Sequence, residues 1–143
     1  MQKFSKADKP ELVKLLQSLP IHDADFKQIQ YDKSNKRLNI ILYNCIDEMK
    51  INIIFDEVCF FLSTDLDFWS NNQTISIFLV EENEDFIKPF LEKIHLKIIN
   101  QLYFVFEAFS GNQIHIISST ISISTNKKDN TGDGQSEDGT IFD

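Results

Sequence analysis

The stretch Leu19, Pro20, Ile21, His22, Asp23, Ala24, Asp25, Phe26 is where the periodicity of this chain changes, and that change decides the fold. Before it, Leu12, Val13, Leu15, Leu16 and Leu19 recur at helical spacing and form the apolar stripe of an amphipathic helix. Pro20 disfavours helical dihedrals at Leu19, so the helix is expected to end near Ser18. Its start is expected at Asp8. Asp8 and Glu11 have capping-box spacing, and Pro10 falls in the first turn, where a missing N–H is harmless.

After the corner the period becomes two, the signature of strands. Residues 26–31 and 37–43 read as a hairpin around a polar turn containing Asp32, Lys33, Ser34, Asn35 and Lys36. In the second of these strands Leu38, Ile40 and Leu42 share one face, while Asn39, Ile41 and Tyr43 share the other. Met49, Ile51, Ile53 and Phe55 alternate in the next strand. The apolar run resumes at Val58, with Asp56 and Glu57 marking a bend, bulge or turn. A strand at 74–80 should place Ile75, Ile77 and Leu79 on one face.

Phe86, Ile87, Phe90, Leu91, Ile94 and Ile98 return to helical spacing, which predicts a short helix over 86–97 with Pro89 in its first turn. The clearest hairpin follows: strands at 102–109 and 113–117 around Ser110, Gly111 and Asn112, where Gly111 supplies the positive φ of a tight turn. A last strand ends at Ile121 and Ile123. The expectation is a single α+β domain over residues 1–125, with an N-terminal helix packed on an antiparallel sheet of six or seven strands. The second short helix is expected in a crossover between strands. Residues 126–143, acidic and glycine-containing, read as a disordered tail.

At 143 residues the chain has the length of one domain, able to bury roughly 70% of its unfolded surface. Hydrophobic residues are 42% and charged residues 25%, and Phe alone occurs 13 times, which tilts the composition toward strands. Acidic residues outnumber basic ones by 22 to 14, for a formal charge of −8. A phosphate backbone is repelled by such a surface, so nucleic acid is not expected as a partner, whereas a basic protein is attracted. No apolar run approaches the ~18 residues of a membrane span, and the start of the chain lacks a signal-peptide core, so a cytoplasmic location is expected. Cys45 and Cys59 lie in or near apolar strands and read as small buried thiols.

His22, Asp23 and Asp25 are the residue types of a metal or acid–base site. Their place between a proline and a strand favours a structural corner, in which polar side chains serve backbone groups. His95 and His115 sit among apolar residues with no ligand partner at spacing, and each is expected to be a surface or half-buried histidine. No nucleophile turn or phosphate-cradling glycine loop is present. Asp129 to Gly134 begins like a calcium loop, yet Thr140 stands where a bidentate Glu is needed. No catalytic residue, metal or cofactor is expected. The candidate binding residues are Phe68 and Trp69, set among Asp65 and Asp67 in a polar loop, an aromatic anchor ringed by acids unless both rings fold back onto the sheet. Glu81, Glu82, Glu84 and Asp85 form an acidic corner that reads as a solvated turn.

The corner Ile21, His22, Asp23, Ala24, the turn Asp32, the step Phe55, Asp56, Glu57, Val58 and the hairpin Phe106 to Gly111 together resemble the small bacterial YxiG-like proteins. More loosely, they resemble a wider set of Leu-His-Asp-Ala proteins that includes immunity-type families. Here Ile21 replaces the first position of that motif. The resemblance implies an α+β domain and a role beside toxin systems, and it carries over no catalytic residue. The function expected first is therefore a non-enzymatic, immunity-type protein that covers a basic toxin domain. The alternatives are a small enzyme or metal-binding protein using His22, Asp23 and Asp25, and a homo-oligomeric domain assembled through a free strand edge.

Overall fold

The computed structural model describes residues 1–64 and 73–127 of the chain. Its organising element is the last strand, β7 (Gln113–Lys127), which pairs with β4 (Met49–Ser63) along nearly its whole length. The opposite edge of β7 is shared by two strands in tandem. Residues 113–118 take β6 (Leu102–Ala108), and residues 120–123 take β1 (Gln2–Ser5). With β2 (Asp25–Asp32), β3 (Arg37–Asn44) and β5 (Ile75–Val80), this makes a seven-stranded sheet in the order β2-β3-β4-β7-β6-β5, antiparallel at every pairing. Among the described residues two α-helices complete it, α1 (Lys9–Ser18) and α2 (Lys88–Lys93). The fold is α+β and mostly sheet.

The order is drawn round on itself at one end. Asp25 at the start of β2 bridges Thr74 just before β5, and the Phe26 N–H donates to the Gln73 carbonyl at 2.8 Å. The inner face of the curled sheet holds the main core. Phe55 sits among Phe78, Phe104 and Phe106 with ring centroids 5.1–6.4 Å apart, and Phe78 stacks on Phe106 at 3.9 Å. Buried aromatic pairs of this kind add to the free energy of burial itself. Leu12 of α1 is buried in the same cluster, with Leu15, Leu16 and Leu19 partly buried against it. A second cluster lies on the outer face, where Tyr103, Val105 and Ile117 are covered by Ile87 and Leu91.

Several local features depart from the expectations. The capping box lies one turn earlier than Asp8 and Glu11: the N–H and Oγ of Ser5 both donate to Asp8 Oδ2, at 2.9 and 3.1 Å. Of the bend, bulge or turn expected at Asp56 and Glu57, the structure has the bulge, and no strand is interrupted. Glu57 takes φ 55° and the register slips between Val58 and Phe60, a bulge inside one continuous β4. A second slip between Ile75 and Ile77 rotates β5, so Ile75 and Phe78 face inward and Ile77 is exposed, not aligned with Ile75 as simple alternation predicts. The second helix is half the expected length. It ends in a Schellman motif, with His95 in the left-handed region at φ 57° and the Leu96 N–H donating to Leu91 O at 2.9 Å. It also lies within the connection between β5 and β6, which pair directly, so it crosses no intervening strand. Cys45 and Cys59 are exposed, the first in the β3–β4 turn and the second at the β4 bulge. Asn126 and Lys127, read as tail, belong to β7. The remaining tail lies outside the described residues. Among the described residues no helix is long and apolar enough to cross a membrane.

Candidate functional site

The Leu19 to Phe26 corner is stitched into the sheet by its backbone. The Asp23 N–H donates to Ile75 O and the Ile75 N–H to Ala24 O, both at 2.9 Å, while Asp23 takes φ 71°. The side chains extend the same joint. His22 Nδ1 donates to the Ser76 carbonyl at 2.7 Å, Asp25 Oδ1 accepts from Thr74 Oγ1 at 3.1 Å, and Asn44 Nδ2 donates to Pro20 O at 3.0 Å. Asp23 Oδ1 stands 3.6 Å from His22 Nε2, and both side chains are more than half exposed, 65% for His22 and 51% for Asp23. His22 also meets the edge of the Phe109 ring at 5.5 Å. Among the described residues no group of three His, Cys, Asp or Glu side chains is placed to hold a metal ion.

Phe68, Trp69, Asp65 and Asp67 lie outside the described residues. A different cluster of aromatic and acidic groups gathers on the outer face, around His115. Alternation along β7 sends Ile114 and Ile116 to the inner core and leaves His115 and Ile117 outside. His115 is nevertheless only 2% exposed, deeper than the surface or half-buried position expected of it. The register of the 102–117 hairpin explains this: His115 faces Val105, and Tyr103 is its diagonal neighbour on the same face. Tyr103 Oη donates to His115 Nδ1 at 2.7 Å, and His115 Nε2 donates to Gln113 Oε1 at 2.9 Å. Phe86, from the segment leading into α2, lays its ring over the imidazole with centroids 4.5 Å apart.

These residues wall a cleft of about 310 Å³, completed by Glu81, Asn83 and Val105. Glu81 is fixed at its rim: its N–H donates to Tyr103 O at 2.7 Å, and its Oε2 accepts from the N–H groups of Glu82 and Asn83 at 3.1 and 3.3 Å. Burial pushes the His115 imidazole below its ordinary pKa, with the Glu81 carboxylate opposing. Burial, reinforced by Glu81 and Glu84, pushes the Tyr103 phenol up to about 12. At neutral pH the pair is therefore uncharged. With Nδ1 accepting and Nε2 donating, the imidazole has no free lone pair to offer a reacting group, so the arrangement is a polar wall and not a poised general base. Two larger clefts, of about 430 and 340 Å³, have mainly aliphatic and aromatic walls and no such convergence of titratable groups.

The rim outside the cleft combines acids with exposed apolar groups. Glu84 and Asp85 are exposed, Glu82 pairs with Lys9, and Phe86 and Phe90 meet edge to face at 6.2 Å while 45% and 43% exposed. Ile94, at 56%, extends the patch. The acidic corner and the apolar spacing of 86–98 are legible in the sequence, where they read as a solvated turn and a short helix. The number of apolar residues in this segment exceeds what one short helix buries, and that excess is the signal of the exposed patch. Comparison of the chain with protein-family models, curated proteins and solved structures finds no match.

Proposed function

We propose that this chain is a non-enzymatic protein-binding domain of the immunity type, which covers a basic domain of a toxin in the cytoplasm. The observation that carries the reading is the Phe86 and Phe90 pair, two aromatic rings exposed beside Glu81, Glu84 and Asp85. Aromatic anchors surrounded by charge are the usual centre of a protein interface, and a surface of net −8 steers a cationic partner toward it. The polar groups nearest to catalytic chemistry are already engaged, His22 with the Ser76 carbonyl and His115 with Tyr103 and Gln113, which supports binding over turnover. The loop bearing Asp65, Asp67, Phe68 and Trp69 is a second proposed contact, on sequence alone.

Co-expression with the products of adjacent toxin genes tests the reading. Restored growth together with stable co-purification is the expected result, and Phe86→Ala with Phe90→Ala should abolish both, since hot-spot truncations cost about 2 kcal/mol or more each. The absence of both protection and a retained partner overturns it.

A further inference from the structure

We propose that the cleft between Glu81, Phe86, Tyr103 and His115 receives the guanidinium group of one arginine side chain from the bound partner. The inference rests on the protein-binding reading and deepens it. The cleft walls hold one carboxylate and no lysine or arginine, and His115 is buried and doubly hydrogen-bonded in its neutral form. One Glu81 oxygen is taken by the two N–H groups of residues 82 and 83, which orients the carboxylate and leaves its other oxygen for an incoming donor. Tyr103 uses its hydroxyl hydrogen on His115, so its oxygen lone pairs remain acceptors. Phe86 meets the imidazole at a tilt of 48° and stays 45% exposed, so part of its ring is open to solvent.

Acceptors and aromatic faces without a fixed cation match a planar, delocalised cation. A guanidinium stacks on a ring while its N–H fork reaches the acceptors, and it sheds water more readily than an ammonium does. The volume, about 310 Å³, lies at the small end of ligand clefts and suits a side chain. Glu84 and Asp85, exposed just outside, add attraction on approach.

The test uses the full chain, with the ring resonances of His115 and Tyr103 followed by NMR during titration with methylguanidinium chloride. Sodium chloride at matched ionic strength and methylammonium chloride serve as references. Saturable shifts at both rings, tighter for methylguanidinium than for methylammonium, are expected. Glu81→Gln keeps the acceptor for residues 82 and 83 and should weaken binding about tenfold, with Phe86→Leu acting in the same direction. An absence of saturable shifts, a preference for methylammonium, or indifference to both substitutions overturns the inference. A partner that binds Glu81→Gln as tightly as the parent also overturns it while leaving the protein-binding reading intact. Methylguanidinium binding without any retained protein partner instead overturns the partner as the source of the group.

Discussion

His22 and His115 each make a 2.7 Å hydrogen bond, yet they do opposite work. His22 stands beside Asp23 and near Asp25 in the corner between α1 and β2, is largely exposed, and ties that corner to the β5 backbone. His115 stands among isoleucines, is 2% exposed, and lines a cleft whose other walls are aromatic and acidic. Polar company in the sequence marks the histidine that serves architecture. The one that helps to form a site is surrounded in sequence by apolar residues, because a strand sends alternate residues to opposite faces and the acids of the site arrive from elsewhere in the chain.

Removing each ring is the most direct way to break this contrast. His115→Ala should cost about 3 kcal/mol, the sum of a lost buried ring and an orphaned Tyr103 hydroxyl. Urea denaturation measures it, and a cost under about 1 kcal/mol would mean that the network contributes little to stability. Tyr103→Phe should cost about 1–2 kcal/mol by leaving Nδ1 buried without a donor, and should shift the His115 ring nitrogens in an NMR spectrum.

The pH dependence sharpens the same contrast. The folded His115 has a depressed pKa, so in acid the unfolded chain takes up a proton that the folded chain refuses. Its contribution is fully present above the ordinary value of 6.5 and is lost as pH falls toward the folded pKa. Tyr103 behaves conversely. Its pKa rises from 10.0 to about 12 on folding, so stability drains away as pH climbs through that interval. Melting temperatures across pH should decline on both sides, with the alkaline decline reduced in Tyr103→Phe; an unchanged alkaline limb would remove Tyr103 as its cause. His22→Ala should have the smallest effect, about 1 kcal/mol or less for one solvent-exposed hydrogen bond. A loss larger than that of His115→Ala would invert the comparison.

What was legible in the sequence follows from how local each signal is. The end of α1 at Ser18 and the Gly111 turn depend on a proline and a glycine within a residue or two, and both are where expected. The antiparallel α+β class follows from period-two runs separated by turns. The site was less legible. Bulges near Val58 and Ile77 hinge on a single extra residue that leaves the apolar pattern almost unchanged. β1 is only four residues long and its identity as a strand depends on a partner at the far end of the chain. The burial of His115 requires both the β6–β7 register and Phe86 from another segment, and no window of sequence contains all three.

The position of β7 also sets the timing of folding. Gln2 pairs with Ile123 and Met49 with Lys127, so β1 and β4 await a partner synthesised well after either of them. Such separated pairings must be closed at a large entropic cost before they are rewarded, which places folding in the millisecond-to-second range typical of sheet proteins, roughly a thousandfold slower than helical bundles. The nascent chain therefore carries β4, with β3 beside it, without its other neighbour until residues 113–127 have been synthesised. Residues 1–64 hold nine acidic and nine basic residues, so charge repulsion between unfinished copies begins only with the acidic residues that follow.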